Sequence, residues 1–513
     1  MSHYPAVYAL RAVHVLRAVH SLRAVYALKA VYALKAVYAS AIEKFQAMFN
    51  PVIFTSSDSI ETADKDLSLK LVVYQGLLFL NSRNGPELMT ISAEERLSLS
   101  YSETFQDLAV VHDIFSRMRK EDPVAWCPEP WDGPGFWSIT KYDDIQFVSK
   151  NPALFSSDGK LGGITLPSNE MIQNRMKAEG NFPQQGEPEK AGNVFQSGTS
   201  MIMMDPPEHV RNRRVVAPGF TPQKLDDLTM GIRLRAKEII DRLDGQTEVE
   251  FISTVAAELP VQMLAELFGI DQALRHKLFE WSNTIIGGDD PDIVVSADQF
   301  RTAIMELVTF GMEQYQDRKA NPGGDLISML VHTEVNGEPT NMGDYLSTLL
   351  LLVVAGNETT RNSISGGILA LSQHPDEKRK LLDDPTLISK AVDEIIRWVH
   401  PVIYMRRTAI QDTMIGEQAI KKGDKIALWY MSGNRDEDKW ASPFTFSLDQ
   451  QGARHLSFGY GQHLCIGWRL AEIQLQVLLE ELLARFPNIS SKGKVSRMRS
   501  NFLNSIKTMQ VTL

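Results

Sequence analysis

The sequence predicts a mainly α-helical protein. The main observation is an apolar, helix-like run of about thirty residues over 341–374, long enough for a helix of ~45–50 Å. A second apolar run of helical character extends from 468 to 486 and is closed by Pro487.

Composition and charge narrow the class of protein. Of the 513 residues, 43% are hydrophobic and 23% are charged, which is ordinary for a globular chain. The net charge of −10 argues against nucleic acid as a general partner. The two cysteines, Cys127 and Cys465, exclude a disulfide framework and fit a reducing cytoplasm, where we expect the protein. No apolar run reaches the ~18 residues that a transmembrane segment needs.

Residues 1–40 form a tandem repeat of low complexity. Near-copies of Ala-Val-Tyr-Ala-Leu-Arg begin every six residues from Ala6 to Ala36. Successive copies are rotated by about 240° on a helix, so their apolar side chains spread over three faces and form no single stripe. An organelle transit peptide, weak membrane-surface contact and an expanded repeat of little function all remain open. Residues 41–102 show no clear motif, and we interpret them as an N-terminal extension that the chemistry does not need.

We expect the main domain to span residues 103–513. It opens with a helix-like stretch over 104–120, which is followed by the strand-like 135–140 and a helix that starts at Asp143. Residues 157–200 are rich in glycine, proline, asparagine and glutamine. Loops of this length are usually functional or disordered.

The segment Asp205-Pro206-Pro207-Glu208-His209 predicts the start of the next helix, because an acid and prolines suit a first turn. His209 and Arg213 are four residues apart and therefore share one face of this helix. The guanidinium fork of Arg213 is well suited to bind a carboxylate. Arg211 and Arg214 face elsewhere.

A polar turn interrupts the long apolar helix at Ala355-Gly356-Asn357-Glu358-Thr359-Thr360. A glycine in the middle of a helix costs ~1 kcal/mol relative to alanine, and threonine is not a strong helix former. This local cost indicates a functional site. The alternative is a threonine that bends the helix by bonding to its own backbone.

A further helix is predicted over 385–398, where Glu394 and Arg397 lie three residues apart on one face. Such pairs are common on protein surfaces and contribute little stability there. The segment 401–409 follows this helix and contains two adjacent arginines, Arg406 and Arg407.

Cys465 lies in a glycine-rich loop directly before the last long helix. The positive end of a helix favours a thiolate over a thiol, and a thiolate held in a turn can bind iron as an axial ligand. Gly461 permits a tight turn, Gly467 lets a flat group pass close to the backbone, and Phe458 offers an aromatic face. The alternative is an inert, buried cysteine.

The stretch from Phe458 to Gly467 resembles the haem-ligand loop of the cytochrome P450 family, Phe-x-x-Gly-x-x-x-Cys-x-Gly, at all four fixed positions. The polar turn at 355–360 resembles the oxygen-binding kink of that family, and the other motifs occur in the family's order. The resemblance covers about residues 103–513. It implies the P450 fold, a large helical domain with small β-sheets, in which haem b (iron protoporphyrin IX) lies between the Thr359 helix and the Cys465 loop.

The resemblance also implies roles for individual residues. Cys465 would be the axial iron ligand, Thr359 would hydrogen-bond dioxygen or its water, and Glu358 would relay protons to it. The further cofactor-binding residues that it implies are His209, Arg213, Arg407 and His463 at the propionates, Phe458, Gly461 and Gly467 in the loop, and Ala355 in the helix.

In the family, the pair that Glu394 and Arg397 match is buried and has an arginine as its third member. This chain has Gln450 at the position of that arginine. Arg454 or His455 are the candidates to replace the missing arginine. The resemblance further implies that Val402 and Ile403 overhang the haem and touch the substrate, and that 157–200 covers the substrate.

The implied function is that of a haem-thiolate monooxygenase. It would hydroxylate a small apolar aliphatic substrate, an alkane, terpenoid, fatty acid or sterol side chain, with O2 and two electrons. The electrons would come from NAD(P)H through a separate ferredoxin reductase and ferredoxin. Arg211 and Arg214 would either dock this ferredoxin or be plain solvated charge. A peroxygenase that uses H2O2, and a non-catalytic haem-based binder or sensor, are the alternatives, and neither needs the relay at Glu358 and Thr359.

Overall fold

The computed structural model of the protein describes residues 91–167, 200–294, 296–335 and 338–513. The repeat predicted over 1–40 and most of the extension predicted over 41–102 lie outside these ranges, as does most of the loop at 157–200. The described residues belong to a unit of contacts that extends from Met89 to Leu513.

Helices dominate the described residues, as the sequence predicts. None of the described helices is both long and apolar enough to cross a membrane. The α-helices are α1 (Ala93–Ser98), α2 (Leu108–Glu121), α3 (Tyr142–Lys150), α4 (Glu208–Val216), α5 (Pro222–Asp241), α6 (Glu258–Phe268), α7 (Arg275–Ile286), α8 (Ala297–Ala320), α9 (Leu326–His332), α10 (Met342–Gln373), α11 (Pro375–Asp383), α12 (Ile388–Val399), α13 (Tyr430–Gly433) and α14 (Trp468–Arg485).

The strands form small sheets, and these were also predicted. They are β1 (Val124–Cys127), β2 (Phe136–Ile139), β3 (Phe155–Ser156), β4 (Glu248–Glu250), β5 (Glu334–Val335), β6 (Glu338–Pro339), β7 (Tyr404–Ala409), β8 (Thr413–Ile415), β9 (Gln418–Ile420), β10 (Lys425–Trp429), β11 (Ser490–Arg497) and β12 (Ile506–Thr512).

The largest described sheet has the strand order β1-β2-β10-β7-β3, in which β2 and β10 run parallel and the other neighbours are antiparallel. A second sheet has the order β11-β12-β4, and β5/β6 and β8/β9 pair as two-stranded sheets. In the pairing of β7 with β10, Arg407 lies opposite Ile426 and Arg406 opposite Ala427. Because side chains alternate along a strand, Arg406 and Arg407 extend from opposite faces of this sheet.

Helix α10 connects the two largest parts of the core. Its cap residue Asn341 accepts a hydrogen bond from the amide of Asp344 at 2.9 Å, and its bounds match the predicted run over 341–374. Up to Val354 the helix packs in one hydrophobic cluster, and from Ile364 onward it packs in another. The polar turn at 355–360 therefore lies between the two clusters.

Local turns shift several predicted helix starts. The side chain of Asp107 accepts a hydrogen bond from the amide of Ala109 at 3.1 Å, so α2 begins at Leu108 and a separate 3₁₀ turn precedes it. The helix predicted from Asp205 begins at Glu208. The helix predicted from 385 begins at Ile388, after a further 3₁₀ turn.

The packed unit begins before Glu103, where the sequence placed the domain boundary. Ile91 and Leu99 are buried in the same hydrophobic cluster as Phe105. Residues 91–102 therefore contribute to the core, because their apolar side chains pack against the helices that follow. The packed unit therefore begins before the predicted boundary at 102/103.

We expect a chain that begins at Ser98 to be less stable than one that begins at Met89. The shorter chain loses the buried side chain of Ile91 and the ion pair of Glu95 with Arg117, whose charged atoms lie 2.5 Å apart. Burial of one isoleucine side chain alone contributes ~1.5–3 kcal/mol to the free energy of unfolding. The midpoints of thermal or urea unfolding measure the difference in stability. Equal midpoints for the two chains would mean that the domain begins near residue 103.

Candidate functional site

The loop from Phe458 to Gly467 is closed by its own backbone, directly before α14. The amide of Cys465 donates to the carbonyl oxygen of Phe458 at 2.9 Å. Gly461 has a φ of +70°, and a Cβ atom there would lie 2.4 Å from the carbonyl oxygen of Ser149. Only glycine fits this position, in agreement with the predicted tight turn. A Cβ atom at Gly467 would meet nothing nearer than 3.7 Å, which leaves room for the close approach of a group at this point.

Burial raises the pKa of the Cys465 thiol, although this side chain is accessible to solvent. The amide of Gly467 and the guanidinium of Arg213 lower the pKa, but they offset only part of the rise. Burial therefore acts against the thiolate that the helix field favours, and the thiolate at Cys465 stays a prediction. A bound metal ion next to the sulfur would favour the thiolate.

Basic side chains from separate parts of the chain gather around the Cys465 loop. His209 and Arg213 lie on α4, Arg407 on β7 and His463 in the loop itself. The ring centroids of His209 and His463 are 4.1 Å apart. A guanidinium nitrogen of Arg213 donates to the carbonyl oxygen of Leu464 at 2.6 Å. The structure thus brings together the residues that the resemblance implied at the propionates.

This basic cluster forms no ion pair with a carboxylate in the described part of the chain. Burial, and next the charge of Arg213, lower the pKa of His209 to about 4. Burial, and next the charge of Arg407, lower the pKa of His463 well below its ordinary value. Nδ1 of His209 and Nε2 of His463 are buried without a hydrogen-bond partner. Buried cations and unpaired ring nitrogens fit a ligand that carries carboxylates, as haem does with its propionates.

Helix α10 and the Cys465 loop contribute to one part of the core. Ile466, which follows Cys465, packs against the hydrophobic cluster that contains the first half of α10. Ala355 and Gly356 are exposed, whereas the preceding residues of the helix, from Leu349 to Val354, are buried. This change from buried to exposed gives α10 an accessible part, which includes Ala355.

The hydroxyl of Thr359 donates to the carbonyl oxygen of Ala355 at 2.8 Å. This is the bond to its own backbone that the sequence left open as an alternative. The bond does not exclude a second role, because a hydroxyl that donates to a carbonyl still has an oxygen that can accept.

Glu358 is fully buried and pairs with Arg361 of the same helix, and no hydrogen bond joins its carboxylate to Thr359. Arg361 also donates to Oδ1 of Asn283 at 3.3 Å and to Oγ of Ser505 at 3.2 Å. Burial raises the pKa of Glu358, and Arg361 acts in the opposite direction. The sequence reasoning missed Arg361, for which the spacing of three residues was an available signal. The relay role of Glu358 stays a prediction.

Glu394 and Arg397 form a buried ion pair through two hydrogen bonds of 2.7 and 2.8 Å. The remaining donors of Arg397 bind the main-chain carbonyl oxygens of Asn434, Pro443 and Thr445. The main-chain carbonyls therefore satisfy the remaining hydrogen-bond donors of the pair, and the pair needs no third arginine.

Neither residue expected to replace the arginine missing at Gln450 joins this pair. The guanidinium of Arg454 lies 5.0 Å from the ring centroid of Trp468, and Nε2 of His455 lies 3.9 Å from a carboxylate oxygen of Asp393. Both expectations are wrong, because carbonyl groups already occupy the free donors of the pair.

The two residues expected to overhang the haem differ in position. Ile403 is fully buried in a hydrophobic cluster with Trp429, and its amide donates to the carbonyl oxygen of Phe502 at 2.9 Å. The expected substrate contact of Ile403 is therefore wrong. Val402 is partly buried and stays a candidate.

Comparisons with known proteins agree with this geometry. A family model described as "Cytochrome P450" matches residues 256–513. Linalool 8-monooxygenase from Pseudomonas putida is 42% identical over 404 residues, which cover 79% of this chain and 96% of that protein. Methyl-branched lipid omega-hydroxylase from Mycobacterium tuberculosis is 35% identical over 409 residues, which cover 78% of this chain and 90% of that protein.

Among solved structures, a Mycobacterium marinum cytochrome P450 in complex with pseudoionone superposes with a TM-score of 0.73 and is 31% identical. The superposition covers 84% of this chain and 100% of that chain.

Proposed function

Because the chain belongs to the cytochrome P450 family, it is a haem-thiolate monooxygenase with haem b as its cofactor, and we propose that Cys465 is the thiolate ligand. The observation that supports this site most strongly is the buried basic cluster beside the Cys465 loop. The cluster forms no ion pair with a carboxylate among the described residues, and Asp205 acts on it only electrostatically, so the propionates of a haem would neutralise it. The residues proposed to hold the cofactor are His209, Arg213, Arg407, His463, Phe458, Gly461, Gly467 and Ala355.

A haem bound through a thiolate supplies the activation of O2 for insertion of one oxygen atom into a C–H bond. The residues of this chain would hold that group and move protons to the site. Thr359 is proposed to accept a hydrogen bond from dioxygen's water and to pass protons to the site, since its hydroxyl donates to Ala355 at the part of α10 that becomes exposed and its oxygen can still accept. Glu358, which is buried and forms an ion pair with Arg361, is the proposed source of the next proton.

We propose that the substrate is an apolar, methyl-branched aliphatic chain that is hydroxylated at a terminal carbon. The name of the Pseudomonas putida relative gives position 8 of linalool, and that of the Mycobacterium tuberculosis relative gives the omega position of a methyl-branched lipid. Both positions are ends of branched hydrocarbon chains. The pseudoionone bound to the similar Mycobacterium marinum structure is likewise an acyclic branched molecule.

A spectral titration tests this function directly. Linalool, a methyl-branched fatty acid and a linear alkane are added in turn, and the shift of the haem absorption band is followed. NADPH consumption and product are then measured with a surrogate ferredoxin and its reductase. We expect the branched substrates to shift the band and to be hydroxylated at a terminal carbon. Turnover with H2O2 alone would indicate a peroxygenase, and a shift without any oxidation would indicate a binder.

We propose that a ferredoxin, reduced by an NAD(P)H-dependent reductase, delivers the electrons at a surface that includes Arg211 and Arg214. Both side chains are exposed on α4, the helix that also carries the buried His209 and the partly buried Arg213. An acidic partner that binds these two arginines would therefore dock within one helix diameter of the proposed haem site.

Charge reversal at this surface should slow electron transfer. We expect Arg211→Glu with Arg214→Glu to reduce the haem about tenfold more slowly at low ionic strength, and to weaken the salt dependence of the rate. Substrate titration should be unchanged. Arg379→Glu, on the exposed side of α11, is the matched control. If stopped-flow reduction rates at low salt are the same in the variant and the wild type, these arginines are not part of the interface.

A further inference from the structure

Two arginine side chains lie over the ring of Trp468, the first residue of α14. The guanidinium of Arg454 is 5.0 Å and that of Arg469 is 5.1 Å from the ring centroid. Both arginines are exposed, whereas Trp468 is partly buried, and its ring centroid lies 6.5 Å from that of Phe458 in the Cys465 loop. The two arginines and Trp468, called the Trp468 patch below, therefore form a basic surface beside this loop.

No ion pair neutralises the Trp468 patch in the described ranges, because Arg454 and Arg469 contact the aromatic ring instead of a carboxylate. A contact with an aromatic face holds a guanidinium in place but leaves its positive charge. The whole chain has a net charge of −10, so this positive area is a local feature of an acidic protein. Such an area attracts an acidic partner to one defined place on the surface.

A polar cavity of about 450 Å³ adjoins the Trp468 patch, between α12 and α14. Asp393 of α12, Arg454 and Glu472 of α14 contribute to its lining. Glu472 is partly buried, and its carboxylate forms no hydrogen bond or ion pair with a described residue. Arg454 belongs to both the cavity and the patch, so a charge on Glu472 acts on the patch at short range.

The surroundings of Glu472 favour its neutral form. Burial, and next the charge of Asp393, raise the pKa of Glu472 to about 7. Arg454 and Arg469 act in the opposite direction but offset only part of the rise. His455 has its Nε2 atom 3.9 Å from a carboxylate oxygen of Asp393, and burial lowers the pKa of His455 to about 3. This histidine is therefore neutral in the range of pH in which Glu472 ionises.

The ionisation of Glu472 controls the charge around the Trp468 patch. Below a pH of about 7 the carboxyl group is neutral, and Arg454 and Arg469 keep their full positive effect. As the pH rises through about 7, the carboxylate forms and offsets part of that charge. The ion pairs between α5 and α14 do not change this balance, because they begin more than two turns beyond Glu472, at Glu480.

The Trp468 patch and α4 meet the Cys465 loop at different points. The patch approaches the loop at Phe458, whereas Arg213 of α4 donates to the carbonyl oxygen of Leu464. A protein that docks over the loop would therefore meet the patch and the exposed arginines of α4 together. Two separate positive areas fix the orientation of an acidic partner, because each of them must face negative charge in the complex.

We propose that the Trp468 patch binds the acidic electron donor together with Arg211 and Arg214, and that protonation of Glu472 strengthens this binding. The negative charge of the donor favours the neutral carboxyl group, so binding of the donor is coupled to uptake of a proton at Glu472. The proposal rests on the proposed function, since it takes a ferredoxin as the partner. The protonation of Glu472 can be measured without any partner.

Stopped-flow reduction of the haem in the full chain by an acidic [2Fe–2S] ferredoxin tests the proposal at low ionic strength. Relative to Glu472→Gln, the wild type should lose about threefold in the second-order rate constant between about pH 6 and pH 8. Comparison of the two proteins with the same ferredoxin cancels ionisations of the ferredoxin itself. Arg454→Gln with Arg469→Gln should be about tenfold slower at both values of pH. High salt should abolish all of these differences.

Glu480→Gln is the matched control, because Glu480 lies on the same helix but pairs with Arg233 at 2.6 Å. This variant should keep the wild-type dependence on pH. The infrared band of the protonated carboxyl group, taken as the difference between the wild type and Glu472→Gln, measures the protonation of Glu472 directly. The band should disappear with a midpoint at a pH of about 7.

A rate in Glu472→Gln that falls with pH as steeply as in the wild type would overturn the role of Glu472. Wild-type rates in the variant that lacks both Arg454 and Arg469 would remove the Trp468 patch from the interface. A wild-type haem that accepts no electrons from the ferredoxin at any pH would contradict the ferredoxin of the proposed function instead. The infrared titration would in that case still decide whether Glu472 is neutral below a pH of about 7.

Discussion

Cys465→Ala should abolish both the thiolate-type absorption band of the reduced CO complex and all monooxygenase turnover. The band requires an axial thiolate, and the second cysteine of the chain cannot supply it, because Cys127 is fully buried in a hydrophobic cluster whereas Cys465 is exposed. The effect is expected to be complete, whereas changes at the propionate-binding residues should only weaken the binding of the cofactor. The CO difference spectrum measures the loss of the band, and product formation with a surrogate ferredoxin measures the loss of turnover.

Cys127→Ala is the matched control for this experiment. Cys127 is buried in a hydrophobic cluster, burial raises its pKa to about 12, and its thiol lies 3.9 Å from the carbonyl oxygen of Ala125. Its removal should leave the CO band and the turnover intact. A CO spectrum in Cys465→Ala identical to that of the wild type would refute the assignment of the ligand.

Thr359→Ala should separate NADPH consumption from product formation. The haem spectrum and the substrate-induced shift should be almost unchanged, because the lost hydroxyl contacts only the carbonyl oxygen of Ala355 among described residues. NADPH should still be consumed, but oxygen should leave as H2O2. Loss of one positioned proton donor typically lowers the rate of the proton-transfer step that it assists by a factor of ~10²–10⁴. The ratios of product and of H2O2 to NADPH consumed measure this effect.

Thr348→Ala provides a control on the same helix. Thr348 is buried and donates to the carbonyl oxygen of Asp344 at 2.7 Å, the same type of bond that Thr359 makes. This variant should remain coupled, and Thr359→Ser should restore coupling. Full, coupled product formation in Thr359→Ala would mean that Thr359 is only a helix residue bonded to its own backbone, and that another group carries the proton.

The parts of the protein that were predictable from sequence are those set by local chemistry. The bounds of α10 follow from a long apolar run and from the capping side chain of Asn341, and both are contained within the helix itself. The turn at Gly461 follows from a φ that favours glycine. The four fixed positions of the Cys465 loop lie within ten residues, so a linear motif was sufficient to identify the family.

Predictions that depended on the environment of a side chain were less accurate. The thiolate expected at Cys465 was argued from the helix field, whereas burial acts in the opposite direction by raising the pKa of the thiol, so the thiolate stays a prediction. Ile403 was assigned to the site from its place in a motif, whereas packing with Trp429 places it in the core. The start of the unit at Met89 was missed because Ile91 and Leu99 reveal their role only through distant contacts.

The sequence by itself therefore determined the helical class, the family and the identity of the candidate ligand, since each is carried by periodicity or by a short motif. The tertiary structure alone decided which charges meet. It brought His209 and Arg407 together from segments far apart in the chain, paired Glu358 with Arg361, and placed the guanidinium of Arg406 on the main-chain carbonyl oxygens of Leu161 and Gly162. The physical reason is that the energy of a buried charge depends on every group around it in space, and most of those groups are distant in sequence.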